Sequence, residues 1–258
     1  MKLIKVMLPV IALLAVGTGY ANKNDVNNNA NKNDVKVAEQ HNNEESLDNA
    51  NRVLYEGCIN QKIGGSCNSL GYSYGTGRSV KQDYSKANVY YEKACNMNYG
   101  EGCHNLGVSY ERGYGVKQDY KKANTYYEKA CNLNAGMGCF NLGVLYEDGK
   151  GVKQDYNKAK SYHEKACNLD DGDGCLNLGF LYVNGLGVRQ DMSVAASYFE
   201  KGCNLNEGIS CKNLGISFEY GQGVRQNRTT AKEYYGKACD LGKQEGCDAY
   251  RKLNKQGY

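Results

Sequence analysis

The sequence predicts an all-α solenoid built from one helical hairpin that recurs every 36 residues. Two series of cysteines advance by 36 residues at each step, and each unit contains apolar residues at helical spacing and a glycine-rich turn. A period of roughly 20–50 residues is typical of repeat arrays, in which each hairpin packs only on its neighbours. The two series are Cys95, Cys131, Cys167, Cys203, Cys239 and Cys103, Cys139, Cys175, Cys211, Cys247, with Cys58 and Cys67 as an earlier pair.

Residues 1–21 have the pattern of a secretion signal. Met1–Lys5 is short and basic, Val6–Val16 is almost wholly apolar, and small residues precede a predicted cleavage after Ala21. The apolar run is shorter than the roughly 20 residues that span a bilayer, so a cleaved signal is favoured over a membrane anchor. We therefore expect an exported protein.

Residues 22–45 are predicted to form a disordered linker. They are rich in Asn, Lys, Asp and Glu, and the sequence NKNDV occurs twice among them. Such a segment buries too little apolar surface to offset the entropy of ordering it.

The first helix of each hairpin, helix A, is represented by residues 102–110. Cys103, Leu106, Gly107 and Tyr110 follow helical spacing, and Gly113 is placed to end the helix in the left-handed conformation. The Leu-Gly pair recurs in five units, and an aromatic residue follows four positions after each leucine. These leucines are Leu70, Leu106, Leu142, Leu178 and Leu214.

The second helix, helix B, follows a capping residue. Asp119 is placed at the N-cap, and Ala123, Tyr127 and Ala130 belong to an apolar stripe. Asn227 replaces the aspartate in the last unit, and an Asn side chain can also cap a helix.

The predicted solenoid covers residues 46–254. It begins with a half-repeat, a lone helix B at Ser46–Cys58, continues through five hairpins, and closes with a lone helix A at Cys247–Lys252.

Charge and composition exclude several classes of protein. The formal net charge is +4, about +2 after loss of Lys2 and Lys5, which argues against a nucleic-acid-binding protein because no domain-scale basic field is expected. A single proline excludes collagen. Only three histidines occur, so a clustered histidine metal centre is hard to build.

The repeated unit resembles the Sel-one-like subclass of tetratricopeptide repeats. Leu-Gly-x-x-Tyr in helix A, Gly-x-Gly-Val in the turn and Lys-Ala-x-x-Tyr-Tyr-x-Lys-Ala-Cys in helix B carry the resemblance. The paired cysteines are similar to those of the secreted Helicobacter cysteine-rich proteins. This resemblance implies a right-handed all-α superhelix with one disulfide per repeat. It also implies either a penicillin-binding or β-lactamase activity, or a secreted factor that acts on host cells.

Two regular pairing schemes fit the twelve cysteines. The second scheme joins the first and last cysteines of one hairpin, as in Cys67–Cys95, and leaves Cys58 and Cys247 unpaired. Two unpaired thiols are rare in an exported protein, so we expect the first scheme, which joins neighbours. Its pairs are Cys58–Cys67, Cys95–Cys103, Cys131–Cys139, Cys167–Cys175, Cys203–Cys211 and Cys239–Cys247. The seven-residue gap fits neither redox nor common zinc motifs, which favours structural disulfides.

A standard β-lactamase site is not evident in the sequence. The chain contains no S-x-x-K and no K-T-G. Tyr182-Val183-Asn184 imitates the Tyr-x-Asn element, but so short a match is expected by chance in this composition. His104 and His163 occur singly, at positions that vary between repeats. We expect no catalytic residue, metal or cofactor, and the β-lactamase alternative rests on the resemblance alone.

One polar position recurs without an evident structural need. Asn105, Asn141, Asn177 and Asn213, the asparagine ladder, each precede the leucine of helix A, and Ser69 holds the first place. In tetratricopeptide repeats, which this unit resembles, helix A lines the concave surface and an asparagine before the Leu-Gly pair commonly faces bound peptide. The resemblance therefore implies that these four residues are candidates for peptide binding, and an amide donates and accepts at once, as a peptide bond requires. The alternative is that they bond to neighbouring backbone within the solenoid.

The sequence and the resemblance together imply an exported bacterial protein, periplasmic or secreted. We expect a monomeric repeat scaffold that binds protein or peptide on the concave face that the resemblance implies. A hydrolase or binding protein for β-lactams or peptidoglycan-like ligands is the alternative. We expect no nucleic-acid partner and no membrane association after signal cleavage.

Overall fold

The computed structural model describes residues 47–258, which form twelve helices and no strand. The helices are α1 Asn49–Ile59, α2 Gly64–Thr76, α3 Tyr84–Asn96, α4 Gly100–Arg112, α5 Tyr120–Asn132, α6 Gly136–Asp148, α7 Tyr156–Asn168, α8 Gly172–Asn184, α9 Met192–Asn204, α10 Gly208–Tyr220, α11 Arg228–Asp240 and α12 Gln244–Lys255. Even-numbered helices are A helices and odd-numbered helices are B helices. The all-α solenoid prediction is confirmed. The predicted signal and linker lie outside the described residues.

Each B helix begins with a capping side chain, and the A helix of each hairpin ends at a left-handed glycine. The Asp119 carboxylate accepts hydrogen bonds from the backbone N–H groups of Lys121 and Lys122, and the Asn227 side chain accepts one from Thr230. Gly113 ends α4 at φ +76°, a left-handed conformation that glycine adopts without steric cost. No helix in the part of the chain described is both long and apolar enough to cross a membrane.

Six disulfides join each B helix to the A helix that follows it. The pairs are those of the neighbour scheme, with S–S distances between 1.94 and 2.06 Å. No cysteine is free among residues 47–258. The covalent bond thus connects successive hairpins and does not close a hairpin on itself.

The two helices of a hairpin pack through a glycine and two aromatic rings. A Cβ on Gly107 would lie 2.6 Å from the Tyr127 ring, so only glycine leaves room for that side chain. Beside this contact, Tyr110 and Tyr126 stack with ring centroids 5.5 Å apart. Each of the other four hairpins has an equivalent stacked pair. The recurring aromatics therefore hold together the two helices of one hairpin.

Successive hairpins cross at a second close contact, near the disulfide. Ala130 in the last turn of α5 touches Gly138 in the first turn of α6, where a Cβ on the glycine would lie 2.5 Å from that of the alanine. At the α9–α10 crossing the glycine lies on the B helix instead of the A helix, and Gly202 faces Ser210. One of the two positions at each crossing must therefore lack a Cβ.

Candidate functional site

The A helices form the inner face of the solenoid. From α2 to α10, successive even-numbered helices contact one another directly and more extensively than successive odd-numbered helices do. Elements on the inside of a curve lie closer together, so the even-numbered helices line the concave side. The asparagine ladder lies on these helices.

The first two ladder residues are engaged in contacts between repeats. The Asn105 Nδ2 donates to Asn68 Oδ1 at 2.8 Å, and Asn141 Nδ2 lies 2.9 Å from His104 Nε2. Each partner lies 37 residues earlier, directly before the ladder position of the preceding repeat. Asn105 and Asn141 therefore bond within the solenoid, although their partners are side chains and not backbone groups.

The last two ladder residues lack this contact. The residue 37 positions before Asn177 is Phe140, and the one before Asn213 is Leu176, and neither offers an acceptor. Asn213 Nδ2 is buried without a hydrogen-bond partner within residues 47–258. The residues that precede the ladder therefore decide which of its amides bond between repeats.

Large apolar side chains are exposed on the ladder face of α6, α8 and α10, and Tyr72 is exposed at the equivalent face of α2. Met137 is 58% exposed, Phe180 37% and Tyr220 59%. They lie four positions before, three after and seven after the ladder position of their own helices, and these spacings share one helix face. We define the inner groove as Asn177 and Asn213 with these three residues. The sequence analysis missed the apolar three, although their spacing from the ladder could have revealed them.

The two histidines lie in different repeats and in different surroundings. Burial lowers the pKa of His104 to about 4, so its ring is neutral at physiological pH. His163 is fully buried, its Nε2 lies 3.0 Å from Glu147 Oε1, and its Nδ1 has no partner among the described residues. In the preceding repeat Tyr127 takes the place of His163 and donates to Glu111 at 2.6 Å. Both histidines thus belong to packing between helices.

The two polar side chains of the Tyr-x-Asn element also have structural roles. Tyr182 stacks on Tyr198 with centroids 5.7 Å apart, and Asn184 donates to the backbone carbonyl of Phe180 at 2.9 Å. Within residues 47–258 no group of three or more His, Cys, Asp or Glu side chains could hold a metal ion.

Comparison with known proteins identifies the repeat. A family model described as Sel1 repeat matches residues 65–99, 100–134, 136–171, 172–207 and 208–243. No curated protein matches the chain.

Several solved structures are similar. A Sel1 repeat protein from Oxalobacter formigenes is 24% identical with a TM-score of 0.70, over 81% of this chain and 85% of that one. A protective antigen of uropathogenic Escherichia coli with an SLR fold is 23% identical with a TM-score of 0.68, over 89% of this chain and 57% of that one. Helicobacter pylori cysteine rich protein B is 40% identical with a TM-score of 0.43, over 52% of this chain and 96% of that one. The first two share the fold of this protein.

Proposed function

Because the chain belongs to the Sel1 repeat family, we propose that it is a scaffold that binds an extended peptide along its inner groove. Unbridged ladder amides lie near exposed apolar side chains in that groove, and this combination is the observation that supports the proposal. A bound peptide needs both kinds of contact, since its backbone must keep its hydrogen bonds and its side chains must bury apolar surface.

The spacing of the repeats suits an extended ligand. A solenoid repeat advances by roughly 10 Å, which is about three residues of extended chain at ~3.3 Å each. One asparagine per repeat would thus meet every third peptide unit. The six disulfides indicate an oxidising compartment outside the cytoplasm, and the partner would be found there.

The experiment compares the two halves of the ladder. Peptides selected from a random library on the wild-type protein serve as probes, and affinity and melting temperature are measured for two double variants. Asn177→Ala with Asn213→Ala should weaken binding by about 10-fold or more while the melting temperature changes little, because lost ligand contacts cost about 1–3 kcal/mol.

The matched control is Asn105→Ala with Asn141→Ala. This variant removes bonds between repeats, so it should lower the melting temperature while the folded fraction retains its affinity. The proposal is wrong if the control loses affinity and the first variant keeps it, or if no peptide is selected.

A further inference from the structure

The two edges of the solenoid differ in charge. We define the basic edge as the turns from helix A to helix B with four residues on either side, and the opposite edge as the turns from B to A with four residues on either side. The basic edge contains thirteen Lys and Arg against eight Asp and Glu, and the opposite edge contains seven against eight. The near-neutral composition therefore conceals an excess of positive charge at one edge.

One cation recurs at the same place in every turn of the basic edge. These residues, the cation row, are Lys81, Lys117, Lys153, Arg189 and Arg225, and each is exposed. None of the five forms a salt bridge with a residue of the described chain.

The carboxylates of the basic edge all have other partners. They cap helices, accept from buried tyrosine hydroxyls, pair with His163 or bond to Lys150. They are Asp83, Asp119, Asp155, Asp191, Glu111, Glu219, Glu147 and Asp148. The cation row is thus left for a partner outside the chain.

The carboxylates of the opposite turns lie far from the cation row. A 13-residue helix at about 1.5 Å per residue separates the turns at its two ends by about 20 Å. That distance exceeds twice the Debye length of about 8 Å at physiological salt. A surface that contacts the cation row is therefore screened from the charges of the opposite turns, and net charge is a poor guide to its binding.

We propose that the basic edge docks the solenoid onto an anionic lipid surface. The cation row recurs once per hairpin in five successive turns of the same edge, so a flat anionic surface can contact several of its members at once. Leu186, which is half-buried between Gly185 and Gly187, adds an apolar side chain to one of these turns. The expectation of no membrane association rested on the lack of a predicted spanning segment, which does not address a peripheral edge.

Flotation with lipid vesicles tests the proposal on the full chain with intact disulfides. The wild type should bind vesicles of phosphatidylcholine with about one third phosphatidylglycerol, release at high salt, and ignore pure phosphatidylcholine. Lys117→Gln, Lys153→Gln and Arg189→Gln together should weaken binding about 100-fold, since each cation near such a surface contributes about 10^0.7-fold.

The matched control removes the same charge elsewhere. The control variant carries Lys93→Gln, Lys129→Gln and Lys165→Gln. These lysines belong to the last turns of α3, α5 and α7, at the opposite edge, so the variant should keep nearly wild-type binding. Equal loss in both triple variants would overturn the proposal in favour of net charge. Absence of wild-type binding would also overturn it. If the protein binds heparin through the cation row but does not bind vesicles, the basic edge binds a soluble polyanion and the proposal is wrong.

Discussion

Two equivalent positions in neighbouring repeats hold a polar pair of residues in one repeat and an apolar pair in the next. Glu147 bonds to the buried His163, and 36 residues later Val183 and Phe199 occupy the same two places. Removal of one member of a buried hydrogen-bonded pair leaves the other polar group buried without a partner, which lowers the free energy of unfolding. Replacement of both members by apolar side chains is often neutral or stabilising.

Glu147→Val should therefore lower the free energy of unfolding by about 1–3 kcal/mol, because neither ring nitrogen of His163 then has a partner. Glu147→Val with His163→Phe recreates the pair of the next repeat and should recover most of that loss, as chemical denaturation would show.

The reverse change is the control for this pair. Val183→Glu places a carboxylate opposite Phe199, which offers no donor, and should destabilise the protein. If the Glu147→Val and His163→Phe effects simply add, the two repeats do not share interchangeable packing.

His104 makes stability depend on pH. Its folded pKa is about 4 and its unfolded value about 6.5, so between these values the unfolded chain binds a proton that the folded chain does not. The contribution is fully present above pH 6.5 and falls by up to about 3 kcal/mol as pH drops towards 4. Denaturation across this range would measure it.

His104→Asn is the informative variant for this dependence. It recreates the Asn68–Asn105 arrangement at Asn141, because the first repeat has asparagine at the equivalent position. The variant should flatten the pH dependence between 6.5 and 4 while keeping an acceptor for Asn141. An unchanged profile would assign the dependence to other groups.

The close crossing of two successive helices beside each disulfide limits the size of the side chains that fit there. A serine at Gly138 would overlap Ala130, and overpacking of this kind costs about 1–3 kcal/mol. Gly138→Ser should therefore lower the melting temperature.

The compensating change is Ala130→Gly, which reproduces the Gly202–Ser210 crossing already present in the chain. The double variant should recover part of the loss, since glycine within a helix costs about 1 kcal/mol relative to alanine. A double variant less stable than Gly138→Ser alone would show that the crossings differ in more than this contact.

Much of the whole molecule could be predicted from the period of its sequence. Spacing within 36 residues placed the helices, with Asp119 and Gly113 at their ends, because these features depend on local contacts. Contacts between repeats were harder to foresee. The partner of Asn141 lies 37 residues away at a position that varies, so its role emerged only when adjacent A helices were placed side by side.

The basic edge was missed for a different reason. Composition reports a sum over the chain, and a sum cannot show that cations outnumber carboxylates at one end of the helices and not at the other. The exposed apolar residues of the inner groove were missed because they differ from repeat to repeat.

Covalent links between successive hairpins also govern how the molecule lengthens under tension. Cys131 and Cys139 are eight residues apart, so a pulled repeat of 36 residues can extend only through the other 28 while the bridge is intact. At about 3.6 Å per residue, each unfolding step should release about 100 Å, and about 130 Å after reduction. Optical-tweezer traces would resolve that difference. The oxidised molecule would thus behave as a chain of short extensible segments joined by fixed links, with a limited reach even when its helices are pulled apart.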